Sequence, residues 1–221
     1  MRVVLKLGGR VAAGGLEHVS ELAATGAEVV VVHGAGPQIS AELAHRGLVA
    51  EFVHGRRVTT PEALAVVRET LVAVGVEVTA ALGPGAVQLV GDEIGLEARQ
   101  IPELGLVGEP VPGRPRAVEE ALAAGRIPVV TPIAVGPLNV NADEAASALA
   151  AGLAAGRILF VTDVAGVLVD GVVVARIEAG EASRLLHDGA FEGGIVPKLL
   201  AAVQAARLGI RAEIGATEVL A

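Results

Sequence analysis

Short, continuous apolar runs alternate with stretches of helical periodicity along nearly the whole chain. Residues 2–7 (RVVLKL), 27–33 (AEVVVVH), 86–90 (AVQLV), 127–131 (IPVVT) and 157–162 (RILFVT) are apolar at consecutive positions. That is the habit of strands buried on both faces of a parallel sheet. Helical patterns occupy 16–25, 37–46, Pro61 to about Leu82, 117–124, 178–187 and 195–208, and Asn141-Ala142-Asp143 opens one more, alanine-rich, of about a dozen residues. Pro37 and Pro61 fall where helices can begin, because the first turn has no use for the missing N–H. The stretch 51–59 reads as irregular or as a hairpin, and 91–115, rich in Gly and Pro, as hairpins and loops. Leu168–Val173 reads as a tight hairpin on an Asp170-Gly171 turn, and a short strand pair closes the chain. The alternation predicts an α/β fold, a mostly parallel sheet with helices on both faces. There is no internal repeat; a weak boundary near Gly136-Pro137 divides one continuous domain into lobes 1–135 and 136–221.

Composition sharpens this picture. Hydrophobic residues make up 52% of the chain but aromatic ones only 1%, so the core is aliphatic. The formal net charge is −8 with no Lys/Arg-rich run, which argues against a nucleic-acid partner. An anionic ligand must then be held by a few local cations, so single lysines and arginines become informative. No cysteine is present, which excludes a disulfide scaffold, thiolate zinc and a Cys nucleophile. No apolar stretch approaches the roughly 20 residues that span a bilayer. Met1 leads at once into a strand-like run rather than an export signal, so the expectation is a soluble, cytoplasmic chain.

Ligands of open α/β sheets sit beyond the carboxyl ends of the strands. Four predicted strands end there in polar or glycine-rich residues: Lys6-Leu7-Gly8-Gly9, His33-Gly34-Ala35-Gly36, Thr131-Pro132 and Thr162-Asp163. Lys6 stands in an apolar strand, so its ammonium either snorkels to solvent or meets an anion. The glycines behind it allow backbone N–H groups to approach a phosphate. Gly34-Ala35-Gly36 ahead of a helix offers free amides and the helix dipole to an anion. It is neither a P-loop nor a dinucleotide fingerprint, lacking the residues and spacing of both. Arg56-Arg57 are either solvated surface groups or a carboxylate clamp. Asn141 as an N-cap and Asp143 as a first-turn charge account for two polar groups of N-V-N-A-D; Asn139 is left unexplained. Lys198 opposes the dipole of the helix it begins, and a nearby phosphate would give it a reason. His33, alone among the five histidines in ending a strand, reads as structural.

Taken in order, K-L-G-G, H-G-A-G-P-Q-I, G-R-R-V-T, N-V-N-A-D, T-D-V-A-G-V and G-G-I-V-P-K resemble the successive motifs of the amino acid kinase family, from Lys6 to about Leu208. The G-x-R-V-T and N-V-N-A-D elements most resemble members that phosphorylate N-acetyl-L-glutamate in arginine biosynthesis. The resemblance implies a three-layer αβα sandwich with an acetylglutamate-binding, dimerising N-terminal lobe and an ATP-binding C-terminal lobe. It implies that Lys6 and Lys198 stabilise the transferring phosphoryl group and that Asp143 orients them. Substrate contacts would come from Gly34, Ala35, Gly36, Arg57 and Asn139. Nucleotide contacts would come from Gly8, Gly9, the run Asp163, Val164, Ala165, Gly166, Val167, Leu168, and the turn Gly193, Gly194, Ile195. ATP would arrive with Mg²⁺ held mainly by phosphates and water, with no protein ligand assigned. The acceptor, a carboxylate of reference pKa roughly 4.3, is already ionised and needs no general base. Catalysis then rests on positioning and charge neutralisation.

Three features depart from the family pattern. Ala35 replaces the central glycine of H-G-G-G, where a positive φ would strain it. A helix that most relatives carry after Arg211 is missing, and 91–115 diverges. N-acetyl-aminoadipate, one methylene longer, stays open as an alternative substrate, since a methylene discriminates by only about 1–3 kcal/mol. A non-catalytic sensor of the same fold stays open too. In arginine-inhibited relatives an extra helix precedes the first strand and links dimers into a ring. Here Lys6 follows Met1 by only five residues, so the expectation is a homodimer without arginine feedback.

Overall fold

The computed structural model describes residues 1–8, 13–162 and 164–221. The first half runs β1 (Arg2–Leu7), α1 (Ala13–Ala24), β2 (Glu28–His33), α2 (Gly36–His45), β3 (Phe52–Val53), β4 (Arg56–Arg57), α3 (Pro61–Leu82) and β5 (Ala86–Val90). A middle section follows: β6 (Ala98–Gln100), β7 (Val107–Pro110), α4 (Arg116–Ala123), β8 (Ile127–Thr131), β9 (Ile133–Ala134) and β10 (Leu138–Val140). The remainder is α5 (Ala142–Gly152), β11 (Arg157–Val161), β12 (Leu168–Val169), β13 (Val172–Val173), β14 (Arg176–Glu178), α6 (Ala179–His187), α7 (Ile195–Arg207), β15 (Arg211–Ile214) and β16 (Thr217–Leu220).

Eight strands form one sheet in the order β14-β16-β15-β11-β1-β2-β8-β5, antiparallel only between β15 and β16. Strand side chains alternate between faces, and the core divides accordingly. Val3, Leu5 and Leu7 of β1, with Val29 and Val31 of β2, pack on the face covered by α1, α2 and α3. Val4, Val30 and Val32 pack on the opposite face, under α4, α5, α6 and α7. The result is the expected three-layer αβα sandwich, closed by aliphatic side chains on both sides.

Helix ends follow local chemistry. The Thr60 hydroxyl accepts from the Ala63 amide at 3.2 Å, and Pro61 occupies the first turn of α3. Helix α1 begins earlier than its apolar pattern indicates, taking in Gly14 and Gly15. These glycines read as loop, but a Cβ at Gly15 would lie 3.2 Å from Leu7 Cδ2, so close packing on β1 is the reason for one of them. The divergent stretch 91–115 supplies β6 and β7, which join β10 and β9 in a second, four-stranded sheet in the order β6-β7-β10-β9. Strands this short, with the partner β10 far along the chain, carry no readable period of their own.

His33 is fully buried, its Nε2 3.1 Å from Thr131 Oγ1. A Cβ on Gly75 of α3 would come within 3.0 Å of both, so the glycine makes room for this polar cluster. Burial pushes the imidazole down from 6.5 to about 4, against a smaller upward effect of its hydrogen bond with Gly34. The unfolded chain therefore takes up this proton near pH 6.5 and the folded chain only near 4. Stability falls as pH drops through that window, reaching a penalty of roughly 3 kcal/mol below it. In urea melts His33→Gln should flatten the stability curve between pH 6.5 and 4. An unaltered slope in the variant would assign the acid sensitivity to other groups.

Candidate functional site

The carboxyl ends of β1, β2 and β11 and the N-termini of α2, α5 and α7 meet around a cleft of about 830 Å³. Pleat parity puts Lys6 on the same face of β1 as Val4, toward α5. There its Nζ lies 3.0 Å from Asp143 Oδ1, with both side chains 6% exposed. Asn141 caps α5 by accepting from the amides of Asp143 and Glu144 at 2.8 and 3.3 Å, which fixes Asp143 in the first turn. Lys198, on the first turns of α7, reaches the same carboxylate from the other side at 3.7 Å from Oδ2. It also donates to the Gly194 carbonyl at 3.2 Å. Desolvation pulls the Lys198 pKa below its ordinary value; Asp143 works against this and the Lys6 charge adds to it. Two ammonium groups thus share one carboxylate, leaving net positive charge where three helix dipoles point.

Arg57 stands elsewhere on the cleft wall, 6% exposed. Its Nη2 donates to the Gly36 carbonyl at 3.1 Å and Ser40 Oγ at 2.9 Å, while the Phe52 ring covers the guanidinium carbon at 4.5 Å. Buried Nη1 has no partner among the described residues. Burial lowers the Arg57 pKa, yet a guanidinium remains charged at any physiological pH, so this cleft-lining side chain keeps a cationic donor in reserve. Arg56, on the opposite side of β4, is spent: its Nε bonds Glu144 at 2.9 and 3.2 Å.

Asn139 lines the cleft and donates from Nδ2 to Thr59 Oγ1 at 3.0 Å. That hydroxyl in turn donates to the Arg57 carbonyl at 2.7 Å, so Asn139 braces the strand that carries Arg57. Gly34, Ala35 and Gly36 line the same wall. Ala35 has φ −144, a negative value rather than the left-handed one that favours glycine, and the residue is buried at 2% exposure. The strain that a positive φ would impose is therefore absent.

The expected nucleotide contacts are distributed less tightly. Gly8 and Gly194 line the cleft; Gly9 and Asp163 lie outside the described residues. Gly193 has φ +65 and Ile195 opens α7. Val164, Ala165, Gly166, Val167 and Leu168 lead away from β11 to the β12–β13 hairpin. Val164 and Leu168 are exposed, whereas Val167 is fully buried and its amide donates to Thr217 Oγ1 at 2.9 Å. Val167 is thus a packing residue, its N–H already used inside the protein. Phe52, Ser40 and Thr59 are site residues that the sequence reading missed. Ser40, one helical turn beyond Gly36, is the one whose spacing put it within reach of Arg57, from which its hydroxyl accepts at 2.9 Å.

Fold and cleft together define an αβα enzyme domain built to hold anions at the carboxyl edge of its sheet. A family model described as "Amino acid kinase family" matches residues 1–216, and the chain belongs to that family. It is 40% identical to acetylglutamate kinase of Rubrobacter xylanophilus over 96% of this chain and 87% of the relative. It is also 40% identical to acetylglutamate kinase of Geobacillus kaustophilus, over 92% and 84%. Among solved structures, smu.665 from Streptococcus mutans UA159 superposes with a TM-score of 0.91 at 26% identity, covering 99% of this chain and 98% of the other.

Proposed function

We propose that this chain transfers the γ-phosphoryl group of ATP to the γ-carboxylate of N-acetyl-L-glutamate, giving N-acetylglutamyl 5-phosphate for arginine biosynthesis. The observation that carries this reading is the pairing, in one cleft, of the Lys6–Asp143–Lys198 cluster with the unsatisfied guanidinium of Arg57. The acetylglutamate kinases that align along most of the chain support it.

Each charge has a task in that reaction. Arg57 Nη1 takes the acceptor's α-carboxylate, held in register by Ser40, Phe52 and the Asn139–Thr59 brace. The free amides around Ala35 and Gly36 add donors at a helix N-terminus. The γ-carboxylate is then an ionised nucleophile aimed at a polyanion, and the obstacle is charge repulsion rather than proton removal. Lys6 and Lys198 offset the negative charge on the transferring group, and Asp143 keeps the two ammonium groups together in spite of their mutual repulsion. Asp143, already bridged by both lysines, presents no free carboxylate to a metal. Mg²⁺ would therefore ride on the nucleotide phosphates and water and supply further charge neutralisation there.

In this reading residues 1–135 hold the acceptor and 136–221 the nucleotide, in the cytoplasm, where ATP is abundant. The outer face of α3, where Ala65, Ala73, Val76 and Ala80 are exposed, supports a homodimer through an isologous apolar contact. A coupled ADP-release assay offering acetylglutamate, acetylaminoadipate and aspartate tests the function. Turnover is expected with acetylglutamate at the highest kcat/KM. Preference for acetylaminoadipate would reassign the substrate, and no turnover with any acceptor would leave a binding protein.

A further inference from the structure

A second cavity, of about 680 Å³, lies on the α5–α7 side of the molecule, against the end of β7 and the residues after it. Its floor is aliphatic, from Ala148 and Ala151 of α5 and Leu200 and Val203 of α7. Leu200 is 50% exposed, so this apolar surface is open to a ligand. Two arginines, Arg99 and Arg207, stand over the floor. In this acidic chain arginines are usually matched by carboxylates, as Arg2, Arg46, Arg68, Arg157 and Arg211 are. Among the described residues Arg99 and Arg207 have no carboxylate partner, and Arg207 bonds only the hydroxyl of Ser183, at 2.8 Å. Arg57 in the first cleft shares this condition, as do Arg126 and Arg184, but only Arg99 and Arg207 meet over one apolar floor.

We propose that the second cavity is an effector site for an aliphatic dianion, a polycarboxylate or a phosphorylated polyol. Two unmatched guanidinium groups call for two negative charges, since each recognises a carboxylate or phosphate by paired N–H groups. Among the described residues no aromatic ring lines the cavity, so a nucleobase finds nothing there to stack on, whereas a short aliphatic body fits the Ala/Leu/Val floor. The cavity shares a wall with the reaction cleft. Arg56 lines both spaces, and its partner Glu144 lines the second. The sequence neighbours of this pair are Arg57 and Asp143. An anion in the second cavity competes with Glu144 for Arg56 and so acts on the strand and helix turn that carry those two groups.

The binding half of the inference is independent of the reaction assigned above; the coupling half rests on it. Calorimetry without nucleotide or metal reads the first half, with citrate and glycerol 3-phosphate as probes that separate carboxylate from phosphate recognition. At least one of them should bind the wild type, bind R99Q/R207Q at least tenfold more weakly, and bind R57A at the second cavity as before. In turnover assays with Mg²⁺ in excess, the same probe should change KM for the acceptor at least threefold in wild type and leave it unchanged in R99Q/R207Q. Equal affinity in R99Q/R207Q, no heat with either anion, or binding that leaves KM unaltered would each overturn the effector site. Absence of turnover with every acceptor would instead sink the assigned reaction, with the calorimetric result still readable.

Discussion

Lys6→Ala and Lys198→Ala should each lower kcat by roughly 10²–10³-fold, the usual cost of one donor aimed at charge that develops in the transition state. The two ammonium groups lie 3.0 and 3.7 Å from opposite oxygens of Asp143, so either variant leaves the carboxylate with one partner and the fold with its core. Asp143→Ala differs in kind: it leaves the buried ammonium of Lys6 and the partly buried one of Lys198 facing each other, and stability should fall together with kcat. The partial burial of Lys198 adds a pH signature. Its pKa is lowered chiefly by desolvation, and the ammonium is the active form, so activity is lost on the alkaline side earlier than an exposed lysine would lose it. In the ternary complex the phosphates raise that pKa again. The alkaline limb of kcat/KM, which reports the free enzyme, should therefore lie at lower pH than that of kcat. Steady-state kinetics across pH, with circular dichroism to verify folding, check all of this. A Lys198→Ala enzyme with unchanged kcat would remove that residue from the mechanism.

Arg57→Ala should raise KM for acetylglutamate by roughly 10- to 100-fold, the loss of a hydrogen bond to a charged group worth about 1.5–3 kcal/mol, while KM for ATP changes little. Arg56→Ala makes the contrast. Its guanidinium is turned to Glu144 at 2.9 Å and to Glu109 at 3.7 Å, where burial already raises the Glu144 pKa above the ordinary carboxylate value. Removing Arg56 leaves that carboxylate without its cation, so the variant should melt at a lower temperature, with KM for the acceptor shifted by only a few-fold, far less than in Arg57→Ala, and KM for ATP nearly unchanged. Measuring both KM values and Tm for the two variants decides the assignment. Equal effects of Arg57→Ala on the two substrates would place Arg57 away from the acceptor.

The two adjacent arginines show where sequence reading stops. Nothing local separates a solvated Arg56-Arg57 pair from a carboxylate clamp, because both share one charge and one neighbourhood. Consecutive strand residues point to opposite sides, and only the placement of β4 between α2 and α5 tells which side faces which helix. Asn139 is a similar case. Its alternation with Asn141 was visible, but its reason, the hydroxyl of Thr59 at 3.0 Å, lies just beyond β4, in another part of the chain. Ala35 shows the reverse: the sequence raised a concern about a positive φ that the observed value of −144 removes.

By itself the sequence determined the order and type of the main elements, the three-layer architecture, and the strand ends at which anions would be met. Those properties depend on period, caps and punctuation, which act between near neighbours along the chain. Tertiary structure decided that Lys6 and Lys198 share Asp143, that Arg56 is paired with Glu144 while Arg57 keeps an N–H group unpaired, and that β6, β7, β9 and β10 make a second sheet. It also brought Arg99 and Arg207 to one cavity. Each of these depends on sheet register and helix placement across long sequence separations. Many distant partners satisfy the same local pattern, and only the packed core selects among them.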